Sequence, residues 1–231
     1  MLAGLALATG WFGNTQVFSR DKKRERKEKM AHQIKAKTFK ESIYSMEGIS
    51  RKTVEEHLKL YNGYVNKYNE VMQKLEGVDK STANQVYSDL RSLKVDLTFA
   101  IGGVKNHEIY FSHLGGKGGN PTGSLLKAIE AHFGSFENYI VDLKQSGLAA
   151  RGWVWTALDL DYGYLFNYLG DAQNSFPVWN AVPILALDVY EHAYFIDHGA
   201  ARAAYLEAFV KNLDWNEVAG NYETALKRLK A

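Results

Sequence analysis

Nine residues, Gly115-Gly-Lys-Gly-Gly-Asn-Pro-Thr-Gly123, divide this chain into two textures. Five glycines and a proline favour neither helix nor strand, so the stretch reads as a loop. Before it, apolar and aromatic residues recur twice at helical spacing. Val54, Leu58, Tyr61, Val65, Tyr68, Met72 and Leu75 form one stripe, and Val86, Leu90, Leu93, Leu97 and Ile101 form another. The spacing predicts helices over Val54–Leu75 and Ala83–Leu114. Ser50 or Thr53 can cap the first, Glu55 and Glu56 sit where carboxylates favour the positive end of the helix dipole, and Gly77 ends it. Two long helices with a short link make a helical hairpin. Gly102-Gly103 lies inside the second helix at a cost, which points to close packing or a local distortion.

After the loop the pattern changes. Ser124–Gly134 and Phe136–Leu148 read as helices, and Gly152–Leu160 and Tyr164–Leu169 as strands joined by the turn Asp161-Tyr162-Gly163. Val182–Val189, with Pro183 at its start, is a third strand, and Ala200–Lys211 and Asn216–Leu229 are amphipathic helices. The expected fold class is α+β: an N-terminal long helical hairpin, then a C-terminal mixed domain whose three-stranded antiparallel sheet is flanked by helices. The expected divisions are residues 1–47 as tail and connecting segment, 48–115 as hairpin, and 116–231 as the α/β domain. No internal repeat is found.

At 231 residues the chain can bury a core without staples. With 46% hydrophobic residues, general disorder is excluded. A formal charge of +2 is too small to imply nucleic acid as a partner, and the basic run Arg20–Lys29 reads as a solvated tail. No stretch reaches the roughly 18–20 continuous apolar residues of a spanning helix. Met1–Phe12 is apolar and the basic Asp21–Lys29 follows it, the reverse of an export signal's order. Two readings stay open: a plain extension on a cytoplasmic protein, or the remnant of an export signal on a periplasmic or extracellular one. The chain has no cysteine, so disulfides, thiolate metal sites and a cysteine nucleophile are excluded. Any metal must be held by His and carboxylate, a set that suits Zn, Fe, Mn or Cu.

Asp188-Val-Tyr-Glu-His192 ends the third strand, and strand ends opening into loops are where functional side chains are presented. Taken singly, Asp188…His192 is an ordinary salt-bridge spacing, and His57 and His107 are ordinary core histidines. Together they come from two antiparallel helices and the second domain, so one metal could tie the domains. Three imidazoles and one carboxylate fit a mononuclear Fe or Mn redox site better than a structural zinc.

Asp188-Val-Tyr-Glu-His-Ala-Tyr194 resembles the D-V-W-E-H-A-Y signature of iron/manganese superoxide dismutases. Ile49-Ser50…Thr53-Val54…His57…Tyr64-Val65…Asn69 resembles the first helix of that family, and Asn106-His107…Tyr110-Phe111…Leu114 its N-H-x-x-F-W segment. Gly119-x-Pro-x-Gly123, Gly152-Trp-Val-Trp155 and Arg202…Tyr205…Phe209…Asn212-x-x-Trp215 follow in the family's order, and the resemblance spans about Gly48 to Leu229.

The resemblance implies a superoxide dismutase, disproportionating superoxide to dioxygen and hydrogen peroxide at one ion alternating between trivalent and divalent states. It implies His57 as the axial ligand and His107, Asp188 and His192 as the equatorial ones. Gly103, four residues before His107, has no side chain to offer the coordinated solvent, whereas Gln173 matches the family's other outer-sphere position. That pairing is associated with manganese, one ion per subunit, with iron as the alternative. Tyr64 corresponds to the gateway tyrosine; Trp153, Trp155, Tyr190 and Phe111 to the aromatic wall. Glu191 corresponds to the residue that crosses a homodimer interface to the partner's ligating histidine, with assembly beyond the dimer left open.

Three departures stand out. His57 and Tyr64 are seven residues apart, one fewer than the family's usual spacing. The expectation is either that a helical bulge is absent or that their pairing is altered. Leu60, Tyr61 and Asn62 stand where the family has a histidine, and Phe195 stands where it has the tyrosine that meets that histidine across the dimer. The alternative function is a metal-binding protein of the same fold with weak or no dismutase activity.

Overall fold

The computed structural model describes residues 33–175 and 178–229. Residues Ala36–Ala231 cluster as one unit. The apolar start and the basic run, with the readings attached to them, lie outside the described residues.

Of the two possible caps, Ser50 is the one used. Its backbone is extended and its hydroxyl accepts the Thr53 N–H, satisfying a first-turn donor of α1 (Arg51–Gly77). The apolar stripe of α1 buries Val54, Tyr61 and Val65, and Val71, outside the stripe, is buried as well. The second helix, α2 (Asp89–Ser112), begins six residues later than its stripe predicts. Ser88 supplies the cap by accepting the Arg91 N–H, and Asn84 Oδ1 takes the Val86 N–H in the turn before it. Such side-chain bonds to local backbone compete with helix, so Val86 and Tyr87 lie outside it, 84% and 75% exposed.

Beyond the glycine loop come α3 (Gly123–Phe133) and α4 (Phe136–Ala149), then the strands β1 (Trp153–Asp159), β2 (Leu165–Gly170) and β3 (Ala181–Asp188). A short α5 (Phe195–His198) precedes α6 (Arg202–Lys211) and α7 (Trp215–Leu229). The sheet runs β2-β1-β3 with both pairings antiparallel. All of β1 is buried, which requires cover on both faces and explains its continuous apolar run. Pro183 cannot donate to a ladder, and β3, an edge strand, accommodates it beside a register shift opposite Thr156/Ala157.

Two consequences position the site. The register pairs Trp153 of β1 with Asp188 at the end of β3. The outer edge of β3 is then tied to the hairpin by His113, just after α2, whose Nε2 accepts the Ala186 N–H at 3.1 Å in a fully buried setting. Residues 36–47 also pack onto the hairpin: Phe39 meets Tyr61 and Phe111, and Ile43 is fully buried.

Candidate metal centre

α1 runs without interruption from residue 51 to 77, so the missing residue between His57 and Tyr64 means that no bulge is present. Seven residues at about 100° each bring the chain to within about 20° of two full turns. His57 and Tyr64 therefore share one face without distortion. From α2, His107 enters the same space. Asp188 is the last residue of β3, and the 3₁₀ turn Glu191–Ala193 folds His192 back over it, which an extended strand would not do.

One nitrogen or oxygen from each of His57, His107, Asp188 and His192 lies within 4.8 Å of all the others. Asp188 Oδ2 is central, 3.1 Å from His57 Nε2, 3.1 Å from His192 Nε2 and 3.6 Å from His107 Nε2. The other carboxylate oxygen accepts the Tyr190 N–H at 2.9 Å, and Tyr205 donates its hydroxyl to the Asp188 carbonyl at 2.7 Å. Tyr110 meets the Tyr205 hydroxyl at 3.1 Å, and with Tyr205 donating onward, Tyr110 is the donor.

The electrostatics favour the neutral imidazole at His57 and His107 but not at His192. Burial pushes His107 down to about 3, reinforced by His57 beside it. Burial also lowers His57, partly opposed by its bond to Asp188. Burial lowers His192 too, but the charge and the hydrogen bond of Asp188 together outweigh it and hold His192 above its ordinary value. Burial raises Asp188, yet the charge and hydrogen bond of His192, then those of His57, keep it well below the carboxylate range.

His107 tests whether this donor set fits a metal. Its Nδ1 donates to the Gly103 carbonyl at 2.6 Å, which fixes the tautomer and leaves a lone pair on Nε2. That Nε2 is buried with no hydrogen-bond partner among the described residues. A buried acceptor aimed at a carboxylate is costly unless a cation lies between them. Three imidazole nitrogens and one carboxylate suit Fe or Mn.

Around the four residues, Gln173 is the hub. Trp153 Nε1 can only donate, so the atom facing it at 3.1 Å is Oε1, and the carboxamide orientation is fixed. Oε1 also meets Asn106 Nδ2 at 3.4 Å, and Gln173 Nε2 donates to the Tyr64 hydroxyl at 3.3 Å. The Tyr64 ring leans on His107 at 5.3 Å and fills the space that a Gly103 side chain would need, since a Cβ there would be 2.6 Å from the ring. Burial, and then the Asp188 charge, raise the Tyr64 hydroxyl above its ordinary value, so it stays protonated near neutrality.

The aromatic residues stand at different depths. Trp153 meets His107 edge to face at 5.2 Å, Phe111 meets His57 at 4.9 Å, and Tyr190 stacks on His192 at 5.3 Å. Trp155 is one layer out, stacked on Trp153 and donating to Asn106 Oδ1 at 3.3 Å. Glu191 is exposed at the start of its turn. Tyr61, one of the three residues in the stretch where the resemblance leads one to expect a histidine, stacks near His107 while its hydroxyl accepts the Lys37 N–H and donates to Glu108. The residue reading missed the positional roles of Asn106, His113 and Tyr205, because a polar or aromatic group at helical spacing looks like core. For Gly102 the signal was present: a glycine pair inside a helix.

Residues 46–115 match the alpha-hairpin domain of iron/manganese superoxide dismutases, and residues 121–221 match their C-terminal domain. The chain is 41% identical over 193 residues to superoxide dismutase [Fe] of Aquifex aeolicus, covering 81% of this chain and 90% of that protein. It is 34% identical to superoxide dismutase [Fe] of Cupriavidus metallidurans over 78% of this chain and 91% of that one. Against superoxide dismutase [Mn] 1 of Halobacterium salinarum the identity is 31%, over 74% and 84%. With both halves matched in order and the four histidine and aspartate side chains gathered where the halves meet, this chain belongs to the iron/manganese superoxide dismutase family.

Proposed function

We propose that this chain converts two superoxide ions and two protons to dioxygen and hydrogen peroxide, using one metal ion held by His57, His107, Asp188 and His192. The observation that carries the reading is the buried, unpartnered His107 Nε2 within the four-residue cluster. A bound manganese or iron ion supplies one-electron redox change and lowers the pKa of bound water. The chain's own groups do the rest. Neutral imidazoles and a single carboxylate leave the centre with net positive charge once loaded, which attracts a small anion. Trp153 and Asn106 hold the Gln173 carboxamide with its donor end toward Tyr64, and Tyr64 keeps its proton. Between them these two side chains fix a polar edge of the site. The rings of Trp153, Phe111 and Tyr190 keep water from its remaining sides.

Manganese is the proposed ion, supported by Gln173 in its outer-sphere place and by Gly103, which leaves Gln173 without a rival. Iron is the second reading, favoured by the Aquifex relative's name. A homodimer is proposed with Glu191 at its interface; exposed Phe195 and Ile196 beside the site, 53% and 48% accessible, support it. The test is metal analysis and superoxide turnover on samples loaded separately with manganese and iron. Turnover with manganese well above that with iron is expected. No turnover at full occupancy with either ion would overturn the enzymatic reading in favour of a metal-binding protein of the same fold.

A further inference from the structure

We propose that Gly102, together with Thr98, positions Gln173 by setting how closely its segment approaches α2. The inference rests on the reading that the Gln173 carboxamide tunes the metal centre. Thr98, Gly102 and Asn106 lie four residues apart, so they form one line along α2. The segment carrying Gln173 lies along this line. Thr98 Oγ1 accepts from Asn174 Nδ2 at 2.7 Å while donating its own proton to the Val95 carbonyl. Asn106 Nδ2 reaches the Gln173 carbonyl at 3.2 Å.

Gly102 lies between these two ties. A Cβ at this position would stand 2.1 Å from the Gln173 carbonyl oxygen and 2.8 Å from its carbon. Carbon and oxygen approach to about 3.3 Å even in attractive contacts, so the segment would have to retreat by about 1 Å. This explains why a helix accepts a glycine here despite its cost. The neighbouring Gly103 faces the Tyr64 ring instead, so the two glycines serve different partners. Retreat of the Gln173 backbone stretches the bonds from its side chain to Trp153 and Tyr64, which now stand at 3.1 and 3.3 Å.

The test compares Gly102→Ala with Gly220→Ala, a helical glycine whose added Cβ would meet nothing within 4 Å. In full-length metal-free protein, the Trp153 indole N–H resonance, assigned with Trp153→Phe, is expected to move upfield in Gly102→Ala and to stay in place in Gly220→Ala. In manganese-loaded protein, Gly102→Ala is expected to shift the midpoint potential and to lower turnover by about ten- to a hundredfold, as a 1 Å misplacement does. In a Gln173→Ala background it should add no further change in potential, because its effect runs through that side chain. Thr98→Val adds no bulk and should move the same resonance less far; it carries the test if Gly102→Ala does not fold. An unmoved indole resonance in the folded variant, or a potential shift that persists without the Gln173 side chain, overturns the proposal. A moved resonance with unchanged potential and turnover leaves Gly102 as the positioning residue and removes Gln173 from the tuning role.

Discussion

The hydroxyl chain Tyr110–Tyr205–Asp188 allows an ordered expectation for three variants. Tyr205 and Tyr110 are buried, 0% and 1% exposed, so water does not replace a lost partner. Tyr205→Phe removes the donor to the Asp188 carbonyl and also strands the Tyr110 hydroxyl, which had Tyr205 as its acceptor. Each buried polar group left without a partner costs about 1–3 kcal/mol, so for two groups a loss of about 2–6 kcal/mol is expected. Tyr110→Phe removes a donor from an oxygen that keeps its own outgoing bond, and about 1 kcal/mol is expected. The double variant strands one group fewer than Tyr205→Phe alone and should be no less stable than it. Coupling of at least about 1 kcal/mol follows. The assay is urea unfolding of metal-free protein at one fixed chain concentration, because association would shift the midpoints. Additive losses, or Tyr110→Phe costing more than Tyr205→Phe, would refute the direction assigned to the chain.

Further expectations concern other parts of the molecule. His113→Leu leaves the Ala186 N–H without its buried acceptor and should cost about 1–3 kcal/mol in urea unfolding, and weaken manganese affinity because β3 carries Asp188; unchanged affinity would separate the two effects. Manganese at 100 times its dissociation constant should stabilise the wild type by about 2.7 kcal/mol, read as a rise in melting temperature, and Asp188→Asn should remove most of that rise. Asp197 accepts from the Ser50 N–H and the Thr53 hydroxyl at the start of α1. Burial raises its carboxyl, but those bonds outweigh it and hold the group below its ordinary value. A depressed folded pKa means stability that is present above the unfolded value of about 3.9 and is lost as pH falls through the folded one. Asp197→Asn should therefore narrow the gap in urea midpoint between about pH 5 and pH 3. The effect should stay below about 1 kcal/mol, because the group is largely exposed.

The sequence made the two hairpin helices and the three strands legible, since each kind of element has a period of its own. It misplaced the start of α2, because Val86 continues the apolar spacing while Asn84 and Ser88 spend their side chains on local backbone. Singly, each of the four histidine and aspartate positions had an ordinary structural reading; their placement on two helices and a strand end suggested one metal site, and the family signature made that set specific. The spacing of His57 and Tyr64 raised two alternatives, and the uninterrupted helix decides for absence of the bulge. Tyr205 and His113 were not legible as supports of Asp188. Their partners lie 17 and 73 residues away, and neither pattern nor propensity carries information over such a separation.

The most direct measurement is anomalous diffraction at the manganese and iron absorption edges from crystals of the metal-loaded protein. One strong site per chain is expected, bounded by His57 Nε2, His107 Nε2, Asp188 Oδ2 and His192 Nε2. A peak elsewhere, or a site at which His107 Nε2 remains without a bond to the metal, would contradict the assignment of the centre.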